Sequence, residues 1–373
     1  MLGLALSGGG FRATLFHIGS LQRINEAGLL GRIDEFTSVS GGSIIAAQLG
    51  LRWPELVFGA DGIAKNIHEL IVEPLRLFCG RTIDVGVILG GIISPFRHPS
   101  DLLIGNHRKY LYGNSTLQDL PARTGGPRFT LYATSLQTGA SVVFSHEYLS
   151  EYHLGRLPDP DIPLAVAVAA SSAFPPPLCP VKLRVDPDAW SRGNISDLHG
   201  DSYLRENLWL ADGGIYDNLG LERLNRLCDR ILVSDAGAPF SVDRKVRLAR
   251  FSQLARTKRT LDIMSEQVRA LRTRDLIRQF VSGEKSGAYW GIGTVISDFP
   301  LEERGLVGAL MADSEETRRI AAMRTRLNRF SAEEQEALIN WGYAQADAAL
   351  RARFDPSLAA PERLPYPDAQ AHG

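Results

Sequence analysis

The stretch "IDEFTSVSGGSIIAAQLGL" at 33–51 runs from a strand signal through a serine and two glycines into a helix signal. The chain enters Ser40 extended and leaves it through Gly41-Gly42, residues that permit a sharp turn and close backbone approach. A strand-to-helix elbow exposes the residue at its tip, which suits a nucleophile, and the free N–H groups of the following helix point at the same place. Position 42 must be small for such a turn, and Gly42 is. Ser38, two residues before the tip, is small without being glycine. A serine before a helix is equally often an inert N-cap, and Ser43 is a weaker rival nucleophile. On these residues alone both readings stay open.

The same grammar precedes it. "LGLAL" at 2–6 is a short apolar run with the character of a first core strand rather than a signal peptide. Ser7-Gly8-Gly9-Gly10 ends it, and from Thr14 onward Leu15, Ile18 and Leu21 recur at helical spacing. Strand, loop and helix repeated at once imply parallel strands joined by right-handed crossovers, an α/β fold with a mainly parallel central sheet. Such sheets bind ligands at the carboxyl ends of their strands, where both glycine clusters fall. Gly8, Gly9 and Gly10 can turn their N–H groups toward one point as an anion nest, with the charge of Arg12 beside it. A dinucleotide loop would need glycine at Ala13, and no Walker pattern follows.

Downstream, "RFTLYATSL" and "ASVVFS" read as strands joined around Thr138-Gly139, and "PLAVAVAASSAF" is a run of small apolar residues. Residues 184–206 are polar and aperiodic, a candidate mobile loop. "NLWLAD" and "RILVSDAG" are buried-strand runs, each ending in an aspartate, Asp212 and Asp235. Beyond about Pro239 long helical stretches take over. Ser331-Ala-Glu-Glu334 is a capping-box signature opening a last helix to about Arg353, and the Pro- and Ala-rich tail after Asp355 reads as flexible. This gives an α/β core at 1–240, a helical extension packed on it at 241–353 and a tail at 354–373.

Composition excludes several classes. With 44% hydrophobic residues among 373 the chain affords a sizeable core, and a net charge of −1 points away from nucleic acid. Cys79, Cys179 and Cys228 are scattered, which argues against a disulfide framework or zinc site and suits a reducing, cytoplasmic setting. The apolar run "VGVILGGII" at 85–93 is far short of the ~20 residues of a spanning helix. No metal or cofactor is expected.

If Ser40 is a nucleophile it needs a base. None of the eight histidines stands in a distinctive setting; His17 lies one turn into the first helix, and His199 sits in the polar loop. Asp212, at a strand end and followed by Gly213-Gly214, is the clearer candidate, with Asp235 a competitor by position.

Taken together, Gly8-Gly9-Gly10-Phe11-Arg12, Ser38-Val39-Ser40-Gly41-Gly42 and Asp212-Gly213-Gly214, in that order, resemble the patatin-like phospholipases. "HIGSLQRINEAGLL" and "ASSAFPPP" are softer matches, and the resemblance covers about 2–235. It implies a three-layer α/β/α sandwich and a Ser–Asp dyad without histidine or metal. Ser40 would be the nucleophile, Asp212 the base, and Gly8, Gly9 and Gly10 the oxyanion donors, with Arg12 supporting the loop or the charge. The implied reaction is hydrolysis of fatty-acyl esters of phospholipids or lysophospholipids through an acyl-serine. Ala13 and Ser38 depart from the family's glycines while staying small. The competing class is a catalytically silent lipid- or nucleotide-binding module that uses the nest for a phosphate.

The segment 244–278 carries 11 Lys/Arg against 3 Asp/Glu, a net +8, with Leu254, Leu261, Met264, Val268 and Leu271 at helical spacing. One reading is peripheral contact with an anionic membrane at its inner face; the commoner one is a packed helix with a solvated charged face.

Overall fold

The computed structural model describes residues 1–83, 98–175, 178–240, 242 and 253–370. The apolar run at 85–93 lies outside them. Among the described residues the strands are β1 (Leu2–Leu6), β2 (Glu35–Val39), β3 (Arg128–Ser135), β4 (Ser141–Phe144), β5 (Tyr148–Glu151), β6 (Gly155–Pro158), β7 (Val181–Arg184), β8 (Asn207–Asp212), β9 (Arg230–Asp235) and β10 (Ser286–Gly291). They form one mixed sheet in the order β10-β9-β1-β2-β3-β4-β5-β6. The run from β10 to β3 is parallel, and β3 to β6 is an antiparallel meander. The turn between β3 and β4 passes through Gly139 at φ 75°.

One pairing decides where the site forms. β2 accompanies β3 only as far as Val39 opposite Tyr132. β4 holds the other edge of β3 through Thr134. Beyond Tyr132 the edge that β2 vacates is taken by β8, running antiparallel with Asp212 opposite Ala133. The carboxyl ends of β2 and β8 therefore meet head-on beside β3.

The sheet is covered on both faces because its strands alternate (period two). In β1, Leu2, Leu4 and Leu6 enter the larger core, and Ala5 enters a second cluster with Leu219, Leu221, Leu224, Ile231, Val233 and Leu276. Gly3 also faces that second layer, where a Cβ would come within 2.6 Å of Leu224 Cδ2. The larger core is roofed by α1 (Gly10–Glu26), α2 (Gly41–Arg52), α3 (Leu164–Ser171) and α5 (Ala332–Ala349); α4 (Gln253–Ser282) lies on the second-layer side through Leu276. This is the three-layer sandwich with C-terminal helices that the sequence implies.

The C-terminal part is bound into that sandwich. α5 starts at the capping box foreseen at Ser331 and Glu334. It crosses α1 so closely that a side chain at Gly19 would strike the Ile339 carbonyl, and one at Gly342 the Phe16 carbonyl. A buried ion cluster fastens the crossing: Asp347 accepts from Arg23 of α1 at 2.8 Å and from Arg351 at 2.6 Å. Two expectations change here. The 241–353 extension is not helical alone, since β10 adds a parallel edge strand beside β9. The stretch 355–370, read as flexible, folds back on the body: Tyr366 exchanges two hydrogen bonds with Asn340, Ala359 accepts from Arg23, and Leu364 is buried.

Candidate active site

β2 delivers Ser40 to the turn with φ 52° and ψ −119°, a conformation that non-glycine residues rarely adopt and that tight structural constraints must hold. The constraints are visible. A Cβ on Gly41 would strike the Gly10 carbonyl, and one on Gly42 the Leu6 carbonyl, so the elbow is wedged between the glycine loop and β1. Ser40 occupies the N-cap position of α2, and its carbonyl accepts the first helical bonds from Ser43 and Ile44. Its side chain makes no capping hydrogen bond. The N-cap reading thus fits the backbone and leaves the hydroxyl free for chemistry.

The head-on meeting of β2 and β8 puts Asp212 beside that hydroxyl. Asp212 is buried; Gly214 N–H donates to its Oδ1 at 2.7 Å, and the Ser40 side chain lies close enough to favour the charged carboxylate. Burial pushes the carboxyl up to about 6, against the pull of those two donors toward the charged form. It is thus mostly ionised at neutral pH and basic enough to take a proton. Asp235 is built differently. Arg269 and the Tyr289 hydroxyl both donate to its Oδ2, at 2.9 and 2.6 Å, and Gly237 N–H donates to its Oδ1 at 2.8 Å. Its oxygens are taken up by structural partners.

The glycine loop lies against the elbow: a Cβ on Gly8 would sit 3.1 Å from Ser40 Cβ. Gly8 N–H is already donated to the Asn218 carbonyl at 3.1 Å. Gly9 and Gly10, at φ 149° and 60°, have N–H groups with no protein acceptor among the described residues, so they are the open donors of the nest. Arg12 is turned away from the anion position. Its guanidinium donates to the carbonyls of Ala236 (2.7 Å), Met323 (2.8 Å) and Ala321 (3.3 Å). Burial lowers its pKa to about 10, with Asp235 opposing and Arg269 adding to the drop. Arg12 thus ties the loop to β9 and to the C-terminal part. His17 braces the loop from beneath: Nε2 donates to the Ser7 carbonyl at 2.9 Å, leaving Nδ1 to accept from Ser234 at 2.8 Å. Burial lowers it to about 4, so the ring is neutral.

The patatin-like phospholipase family model matches residues 4–224, more than half of the chain and a range that includes the elbow, Asp212 and the glycine loop. The chain belongs to this family. Family membership supports lipid acyl-hydrolase chemistry in general. No curated protein matches the sequence. Among solved structures, the chain is similar to human GIVD cytosolic phospholipase A2 in complex with methyl gamma-linolenyl fluorophosphonate, at 14% identity and TM-score 0.49 over 93% of this chain and 57% of that one. It is also similar to VipD from Legionella pneumophila, at 15% identity and TM-score 0.35 over 94% and 67% of the two chains. The chain spans 50–57% of the human enzyme's length in the alignments to it.

In this patatin-like site, residues that sequence reasoning did not single out hold the pieces together. Ser171, at the end of α3, accepts the Ser40 N–H on its hydroxyl at 2.9 Å, and its carbonyl accepts Gly213 N–H at 3.2 Å. Ala173 carbonyl accepts Asp212 N–H at 3.0 Å. The sequence signal for it is "ASSAF" at 170–174, a family-like string that carries no role by itself. Behind it runs a hydroxyl chain: Ser171 to Ser43 at 2.8 Å, Ser43 to Ser38 at 3.0 Å, and Ser38 to the Thr130 carbonyl at 3.3 Å. Because Ser40 N–H can only donate and Thr130 O can only accept, one direction satisfies every hydroxyl as donor and acceptor. Ser38 thus occupies the elbow's usual glycine position with its hydroxyl in use. Asn218 fills the gap between the glycine loop and Asp212, its Oδ1 2.6 Å from where a Cβ on Gly214 would lie. The polar stretch 184–206 is pinned beyond β5 and β6 by His153–Asp197 and by His199 to the Leu154 carbonyl, so those histidines serve elsewhere. A cavity of about 610 Å³ opens at the opposite pole, around Ile33, Asp34 and Arg128, remote from the dyad.

Proposed function

We propose that the chain is a serine acyl hydrolase that cleaves fatty-acyl esters of phospholipids or lysophospholipids with Ser40 and Asp212. The observation that carries this reading is the uncapped Ser40 hydroxyl on a strained elbow beside a buried carboxylate whose pKa lies near 6. Ser40 Oγ attacks the ester carbonyl carbon as its proton passes to Asp212. The oxyanion develops against the Gly9 and Gly10 N–H groups, which are fixed in advance by the loop. Arg12 acts by holding that loop, and Gly8 by its approach to Ser40. Collapse expels the alcohol, which takes the proton from Asp212 and leaves acyl-Ser40. Water, deprotonated by Asp212, then releases the fatty acid and regenerates the serine. Cytoplasmic residence, supported by the free cysteines, and peripheral contact with an anionic membrane through 244–278 belong to the same reading. Among the described residues no helix is long and apolar enough to cross a membrane.

The test is labelling with a fluorophosphonate and site mapping by mass spectrometry, beside release of fatty acid from a lipid ester. The modification is expected on Ser40, and Ser40→Ala and Asp212→Asn are each expected to abolish release. Full activity in Ser40→Ala, or a label on Ser43 instead, would overturn the assignment. An unlabelled chain that binds a phosphorylated ligand at the glycine loop would make it a binding module.

A further inference from the structure

Between Leu261 and Leu271, helix α4 is inverted relative to an ordinary surface helix. At 100° per residue, Asp262, Glu266, Arg269, Thr273, Leu276 and Phe280 share one face. That face is directed at the protein: Leu276 is fully buried and Arg269 reaches Asp235 at 2.9 Å and the Ala238 carbonyl at 2.9 Å. Arg272, at the edge of this face, pairs with Asp217 at 3.4 Å, at the end of the short helical turn Gly214–Asp217 that follows Asp212. The middle of the helix is thus held largely through charges, and its C-terminal part through Leu276. Leu261, Met264, Val268 and Leu271 form the outward stripe at i, i+3, i+7 and i+10, and Leu261, Met264 and Leu271 are 52%, 60% and 59% exposed. A packed helix with a solvated charged face would show the reverse.

We infer that this outward stripe is a docking surface for an anionic lipid bilayer; the inference deepens the lipid-hydrolase reading and rests on it. Two requirements meet at the stripe. Large flexible side chains stand ready to enter the acyl boundary, and the described part of the basic segment, 253–278, carries seven Lys/Arg against three Asp/Glu in a chain of net charge −1; residues 244–252 lie outside the described residues. A bilayer with anionic headgroups satisfies both at once, whereas the apolar face of a neutral protein partner would leave the basic charge unanswered. Through Arg269 and Arg272 the same helix is riveted to the loops after β9 and β8. A bilayer held on the stripe is therefore anchored to the element that carries Asp212.

The experiment uses the full chain and unilamellar vesicles of phosphatidylcholine, with and without phosphatidylglycerol. Partition is read by co-sedimentation, for wild type and for Leu261→Ser/Met264→Ser/Leu271→Ser. The substitutions fall on exposed positions, and circular dichroism checks the fold. Wild type is expected to bind the anionic vesicles, less well at high salt, and the triple variant about tenfold or more weakly. Hydrolysis of a soluble short-chain ester should be unchanged in the variant. Equal partition of the two proteins, or no vesicle affinity in wild type, overturns the proposal. So does a wild-type dimer that the variant converts to monomer, because a second copy would then own the face. Partition is read without turnover: a chain that binds vesicles but cleaves no ester defeats the catalytic reading alone. A chain that cleaves soluble esters without vesicle affinity defeats docking alone.

Discussion

The hydroxyl of Ser171 accepts the backbone N–H of Ser40 at 2.9 Å, while the carbonyl of Ser171 accepts the N–H of Gly213, next to the base, at 3.2 Å. One residue therefore sets the separation of the proposed nucleophile and base. Ser171→Ala keeps the carbonyl and removes the hydroxyl. We expect kcat to fall by about 10- to 100-fold, because small misplacements of reacting groups carry costs of that order. KM and the pH profile should stay close to wild type, and Ser171→Thr should recover part of the loss. Steady-state kinetics on a soluble ester decide it.

The buried carboxyl of Asp212, with its pKa near 6, gives kcat/KM an acid limb with a midpoint close to pH 6. Below it the base is protonated and the rate falls tenfold per pH unit. The same shift acts on stability. The folded pKa lies above the ordinary 3.8, so the fold favours the protonated form. That contribution is full below about pH 4 and is lost as pH rises through 6. Asp212→Asn carries no charge to bury and keeps an acceptor for Gly214. It should be inactive yet more stable than wild type above pH 6, on the order of 2 kcal/mol, with no advantage below pH 4. Thermal unfolding across pH checks this.

Ser38→Gly restores the family's usual elbow residue but takes the Ser43 hydroxyl's acceptor away. We expect a loss of about 1 kcal/mol in stability with most activity retained. Denaturant titration and ester hydrolysis measure both. A large loss of activity with unchanged stability would give the hydroxyl a chemical rather than a structural part.

Arg12 discriminates between support of the loop and support of the charge. Arg12→Met strands three buried carbonyls, and we expect a loss of about 3 kcal/mol in stability. Variant that remains folded at low temperature should still label at Ser40. Unchanged stability with no labelling would place the guanidinium at the oxyanion instead.

Much of the site was legible because its chemistry is written in local turns. Glycines at 8–10 and 41–42 mark strand ends whatever the distant chain does, and the alternation of strand and helix implied the parallel half of the sheet. The choice of base was not legible from local residues. Asp212 and Asp235 end similar apolar strands, and only pairing separates them: β9 runs parallel beside β1, whereas β8 runs antiparallel into the end of β2. The resemblance to a family chose Asp212, and the pairing of β8 with β3 is the observation that favours the proposal. "SGAYWG" hid β10, since Gly287 and Gly291 break the strand pattern and its pairing with β9 supplies what propensity does not. The tail misled through composition: prolines and alanines read as flexible, although Leu364 and Tyr366 suffice to seat it.

The fork at β3 has a consequence for how such a chain can vary. Asp212 reaches Ser40 through three rungs, Asp212 to Ala133, Ala211 to Thr134 and Leu210 to Ser135. A strand's side chains change face at every step. Deleting one residue between 207 and 212 would therefore swing the carboxylate to the opposite side of the sheet, whereas a residue gained or lost in the turns of 192–200 leaves those rungs in place. The parity of one short strand, and not the length of the polar excursion before it, decides on which side of the sheet Asp212 stands.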